Sequence, residues 1–235
     1  MHKLKRIAEA EVIAEFLKNE FHHSEFHADR KRFEDLVLYP DLKNEKHNAI
    51  RRMLLFRRHE ALWRGLPRNT QWWDVQIEAA DLGLIRVSSR PEWKRIAKGS
   101  MLLKNIAERI RSEHCSGSSV CKVQAISYCL RQTVDHSSVM LIGIDEDKPL
   151  TILEGNHRLV AALLANGEKA PAHFRVIAGY SAQMNECCCY DASLSNRWRQ
   201  VKSQLRSVFR INGNRLPKDV GLRPVDRPAK IPSES

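Results

Sequence analysis

"LTILEGNHRLVAALLANGEKAPAHFRVIAG", residues 150–179, is the stretch on which the reading of this chain turns. Its order is an apolar strand, a glycine turn, a short helix and a second strand. The turn gathers Glu154, Asn156, His157 and Arg158 around Gly155. A strand that passes through glycine into a helix leaves the first helical N–H groups without intrahelical acceptors, and they point at whatever occupies the turn. An anion suits that place: the unsatisfied donors act together with the positive end of the helix dipole, worth about 0.3–1 kcal/mol at an exposed site. Gly155 has no Cβ, so the backbone can approach a phosphate closely. Arg158, one turn into the helix, carries a planar fork suited to paired phosphate oxygens. A purely structural arrangement uses the same residues: Gly155 makes the turn, Asn156 caps the helix, and Arg158 pairs with Glu154 or Glu168.

Upstream, "SSVMLIGIDEDKPLTILEGNHR" sets two apolar runs on either side of a turn-forming DEDKP, the pattern of a hairpin. "QWWDVQIEAADLGLIRV" alternates Val75, Ile77, Ile85 and Val87 with polar neighbours and reads as two short strands. "RPEWKRIAKGSMLLKNIAERIRSE" is helical, and "VCKVQAISYCLRQ" reads as strand. The first 70 residues read as helices throughout: an amphipathic one over Leu4 to Phe21, a second that stops before Pro40, and a third closed by Gly65 and Pro67. Leu194, Trp198, Val201 and Leu205 predict a basic C-terminal helix ended by Gly213, with a proline-rich tail behind it.

The 235 residues, 43% of them apolar, can fill a core, and no stretch reaches the roughly 20 apolar residues of a membrane helix. A cytoplasmic protein without membrane contact is expected. The net charge of +11 admits an anionic partner. Arg51, Arg52, Arg57 and Arg58 beside aromatics suggest that nucleic acid could bind the basic helices. The six cysteines lack paired metal-binding spacing, since "ECCCY" at 186–190 has no CxxC to match it, and they are expected to be reduced, mostly buried small hydrophobes.

The segment "ILEGNHRLVAALLANGEKAPAHFRV" resembles the signature of the ParB/sulfiredoxin superfamily: an apolar strand, a DGxHR-type turn, an alanine-bearing helix and a proline-preceded strand. The resemblance covers about residues 75–178. It implies an α+β, mixed-sheet nucleotide-binding domain over 71–180, between an N-terminal helical unit at 1–70 and a basic C-terminal helix and tail at 181–235. By matching position, Gly155, Asn156, His157 and Arg158 would bind phosphate, while Ala161, Ala162 and Gly167 would be packing and stop positions. Asn156 stands where sulfiredoxin has its nucleophilic cysteine, which removes sulfinic-acid reduction, and Val160 stands where the CTP-binding ParB proteins have a second arginine. The small-molecule kinase members fit best. They imply ATP or another nucleotide with Mg, an unidentified acceptor, and phosphoryl transfer or nucleotide hydrolysis. Glu154 is then the candidate metal holder or base, with His157 and Glu78 as further catalytic candidates. The alternative is a ParB-like DNA- or RNA-binding protein, including a nuclease.

Overall fold

Strand β4 (Ser138–Gly143) is buried along its whole length. Successive side chains of a strand point to opposite faces, so a strand buried at every position needs a covered sheet on both sides. The computed structural model, which describes residues 1–112, 115–133 and 137–190, has that arrangement. Six strands, β1 (His2–Ile7), β2 (Gln71–Gln76), β3 (Ile85–Arg86), β4, β5 (Leu150–Glu154) and β6 (Arg175–Tyr180), form one mixed sheet in the order β1-β2-β6-β4-β5-β3. β4 runs parallel to β6 and antiparallel to β5, so β5 and β6, consecutive along the chain, are separated by β4. The protein is α+β.

Helices α1 (Glu9–Glu20), α2 (His27–Leu38) and α3 (Glu45–Arg64) cover one face. There Val12, Phe16, Leu17, Leu54 and Leu55 pack with Met140, Ile142, Leu153 and Ile177. Helices α4 (Pro91–Ala97), α5 (Leu103–Ser112), α6 (Ser118–Leu130) and α7 (Asn156–Asn166) belong to the other core. It joins Val139, Leu141, Ile152 and Val176 of the sheet to Trp93, Ile106, Val123, Leu159 and Ala162. Two arginines, Arg175 half-buried and Arg51 fully buried, hold the first layer in place. Arg175 of β6 bonds Asp74 of β2 at 2.8 and 2.7 Å and pairs with Glu11 of α1, and its hydrogen bonds to Asp74 keep its guanidinium charged beyond the ordinary arginine range. Arg51 of α3 donates to Leu36 O at 3.0 Å and Asp41 O at 2.9 Å, and so satisfies one carbonyl in the last turn of α2 and one in the loop that follows it.

Two sequence-based expectations fail. Residues 2–7 form a strand, not the start of a helix, and α1 begins at Glu9. The pairing partner of β1 is β2, with His2 opposite Gln76, and no local pattern shows a partner so distant. The 118–130 segment is helix, not strand. Its buried positions Val120, Val123, Ser127 and Leu130 follow helical spacing, and α7 lies against them. The hairpin, the two strands at 71–86 and the strand-helix-strand order of 150–179 are as expected. The expected C-terminal helix falls outside the described residues. Among the described residues, no helix is long and apolar enough to cross a membrane.

Leu141 and Met140 are fully buried neighbours that face opposite layers. Leu141→Ala and Met140→Ala are each expected to cost about 2–5 kcal/mol. Urea melts followed by tryptophan fluorescence and by circular dichroism should stay coincident, because β4 couples the layers. A variant in which one layer melts ahead of the other would contradict this two-faced core.

Candidate functional site

The strand-to-helix junction at 154–158 is built around a largely buried carboxylate. Glu154 closes β5, Gly155 takes a left-handed conformation at φ +96°, and α7 starts at Asn156. A Cβ at Gly155 would stand 3.1 Å from Val139 Cγ2 and would have to be held at a positive φ, so the turn requires glycine. The first bond within α7 runs from Leu159 N–H to Gly155 O at 2.9 Å, which leaves the amides of Asn156, His157 and Arg158 without intrahelical acceptors.

Arg158 forms an ion pair with Glu154 and donates to Asn19 Oδ1 at 3.0 Å. The side-chain amide of Asn19, from α1, donates to Glu154 Oε2 at 2.9 Å and to Ser138 O at 3.0 Å. The arginine thus adopts one of the two structural pairings open to it. Only two of its five N–H donors are engaged, and the others have no partner among the described residues. Asn156 does not cap α7. Its buried side chain accepts the Ser88 N–H at 2.9 Å and ties the turn to the segment leaving β3.

The electrostatics of two neighbouring carboxyls diverge. Burial holds the Glu154 carboxyl above the usual range, Arg158 opposes this only in part, and the nearby charge of Glu20 adds to it. Burial acts on Glu20 in the same direction, yet there it is outweighed by the hydrogen bond and charge of His59, with His23 and Arg58, and the group falls to about 2. His59 Nε2 lies 3.1 Å from Glu20 Oε2, from a point in α3 where the helix kinks. Such opposed shifts in adjacent carboxyls are a mark of acid–base sites. His157 packs on Trp93 with ring centroids 4.9 Å apart. Burial and the cations Lys122, Arg90 and Arg158 depress its pKa to about 4, with Glu92 opposing, so the imidazole is neutral near pH 7.

Glu154, Gly155, Asn156, His157 and Arg158 are therefore brought together, and Glu78 is not among them. Glu78 follows β2 and lies at the surface, 3.1 Å from His2 Nε2. With β6 and β4 between β2 and β5, the strands stand about 14 Å apart at the usual spacing. Sequence reasoning missed Asn19, Glu20 and His59. One signal was legible: Asn19 interrupts the apolar stripe Val12, Phe16 of α1 at helical spacing and is buried there.

The arrangement does not fit a metal held by the protein. Glu154 Oε2 is already shared between a guanidinium and an amide. Among the described residues, no group of three or more His, Cys, Asp or Glu side chains could hold an ion. A cavity of about 260 Å³ lies between α4 and α6, lined in part by Arg95, Ile96, Ser116, Ser118 and Val120, and none of residues 154–158 lines it. The α3 arginines are not a bare cationic stripe. Arg51 is buried, Arg52 meets Glu9 at 2.7 Å, Arg57 pairs with Asp29, and Arg58 meets Glu20 at 3.1 Å. Of the cysteines, Cys187 is buried while Cys121 and Cys129 are exposed, contrary to the expectation of general burial.

Comparison with protein-family models, with curated proteins and with solved structures finds no match.

The His157 imidazole is expected to titrate near pH 4 by NMR rather than at the ordinary 6.5. A folded-state pKa below the unfolded one means that the unfolded chain takes up the proton first as pH falls. The contribution of His157 to stability is therefore present above about pH 6.5 and lost on acidification toward about 4, and His157→Gln should flatten that dependence. A midpoint close to 6.5 in the folded protein would contradict the described burial.

Proposed function

We propose that the entry of α7 is a phosphate-binding turn and that the chain is a nucleotide-binding enzyme of ParB/sulfiredoxin type, acting by phosphoryl transfer to a small molecule or by nucleotide hydrolysis. The observation that carries this reading is the state of Arg158, oriented by Glu154 and Asn19 yet with donors to spare among the described residues, beside the three amides of a helix start that lack intrahelical acceptors. Oriented donors around a developing negative charge are what phosphoryl transfer chiefly needs. The turn residues and the strand-helix-strand order over 150–179 support the family resemblance.

In this reading the phosphate meets the amides of Asn156 to Arg158 and the unengaged edge of the Arg158 guanidinium. Glu154, its pKa already raised by burial, accepts the proton of the attacking hydroxyl or water. The neutral His157 ring supplies a hydrogen bond at the turn. The donor set gives no resident Mg, so a metal would have to arrive on the nucleotide, and no step is drawn through it. The nucleic-acid alternative has less support, because the α3 arginines expected to carry it are paired or buried.

Truncating Arg158 alone would abandon a buried carboxylate at a cost of about 3–5 kcal/mol, so fold and binding would fail together. The double variant Glu154→Gln, Arg158→Gln removes both charges at once. ATP, ADP, CTP or inorganic phosphate at a hundredfold excess over Kd should stabilise the wild-type chain by about 2.7 kcal/mol in thermal melts. The double variant should gain nothing. A wild-type melting temperature unmoved by every one of these ligands, or equal binding by the double variant in calorimetry, would defeat the reading.

A further inference from the structure

Strand β1 stands at one end of the sheet order, and β2 is its one strand neighbour. Five of its six residues, His2 to Arg6, are exposed, and only Ile7 enters the core. Beyond its ladder with β2, no backbone hydrogen bond of residues 2–7 occurs among the described residues. A strand edge left open in this way presents a row of unpaired N–H and C=O groups, a template for another extended chain. The opposite edge of the sheet differs: β3 is two residues long, and Arg86 bridges to Leu102, so that edge is short and covered.

The β1 edge is also cationic. Lys3 is turned back over the sheet, its ammonium 5.5 Å from the ring centroid of Trp73 and 4.9 Å from that of Tyr180, and it pairs with Glu146. Lys5 and Arg6 are exposed and have no ion pair or side-chain hydrogen bond among the described residues. Being consecutive, they point to opposite faces of the sheet, so the edge is positive on both sides. Leu4, 64% exposed, lies between Lys3 and Lys5, where the register with β2 slips by one. Bulges and lysines are the usual guards of an edge strand against chance pairing. A guard made of positive charge repels a basic strand and attracts an acidic one.

We propose that β1 is a docking edge for an extended acidic segment of a partner protein, which adds to the sheet as a further strand. Main-chain hydrogen bonds to β1 supply the attachment, carboxylates of the segment meet Lys5 and Arg6, and an apolar side chain covers Leu4. A second copy of this chain fits poorly, because pairing β1 with itself sets the cations of one copy against those of the other. Residues 191–235 fit no better, since Arg197, Arg199, Lys202, Arg206 and Arg210 make that stretch basic as well. The docking edge is separate from the α7 entry: β2, β6 and β4 lie between β1 and β5.

The test uses the full chain and a short, end-blocked peptide of repeated Val-Thr-Glu-Glu, whose Val and Thr favour the extended form and whose acids fall on both faces. At millimolar concentration the peptide should shift the backbone amides of His2 to Arg6 and slow deuterium exchange at those that do not pair with β2. The double variant Lys5→Glu, Arg6→Glu should bind it roughly tenfold more weakly. Both side chains are solvated, so that variant keeps its fold, and it should bind a counterpart of repeated Val-Thr-Lys-Lys instead. The acidic peptide methylated at every backbone nitrogen, its charge unchanged, should not bind. No shift along β1, equal binding by the double variant, or equal binding of the methylated peptide would overturn the proposal. So would outward amides of β1 already protected in the free chain, the sign of cover by the chain itself, or protected only as the chain is concentrated, the sign of a second copy.

Discussion

A carboxylate taken out of water must be met by donors, and the way this chain meets that demand at Glu154 sets much of its architecture. The partners come from far along the sequence: Asn19 from α1 and Arg158 from the first turn of α7. Asn19 also holds Ser138 at the start of β4, so a single amide joins the first helix to two central strands. Helix α1 is thereby placed against the sheet at one end by this network and along its side by Arg175 with Glu11 and Asp74. The apolar contacts under α1 to α3 supply non-directional stabilisation, while the polar network fixes where the helix ends.

The same network underlies the proposed chemistry. Glu20 and Glu154 sit near each other, yet His59 and Arg58 keep the first ionised while burial pushes the second toward its neutral form. Arg158 is oriented by the carboxylate it neutralises. An anion arriving at its unengaged edge would share that charge and loosen its hold on Glu154, leaving the carboxylate more basic as an acceptor approaches. Ground-state structure and proposed catalysis thus draw on one ion pair. The pair also explains why Arg158 cannot be treated as a surface residue whose removal leaves the fold intact.

Elements whose signal is local were legible in the sequence. The hairpin around DEDKP, the helices before Pro40 and Gly65, and the Gly155 turn each carry their own period and punctuation. What depended on partners elsewhere was not. β1 looks like the opening of a helix until β2 pairs with it. The valines of α6 suggest strand, although Val120, Val123, Ser127 and Leu130 already had helical spacing. Glu78 seemed a catalytic candidate because the strand order, which inserts β6 and β4 between it and Glu154, is not written in any local pattern. The turn itself was read correctly as a crowd of polar residues, but its partners Asn19, Glu20 and His59 lie in helices that fold back from more than ninety residues away.

Amide shift mapping on the isotopically labelled chain tests the central claim most directly. Titration with inorganic phosphate and then ATP should move the backbone amides of Asn156, His157 and Arg158 most, with the Asn19 side-chain amide following through its bond to Arg158. Shifts confined to the α4–α6 cavity around Arg95 and Ser118, or no shift at the α7 entry at saturating ligand, would contradict it.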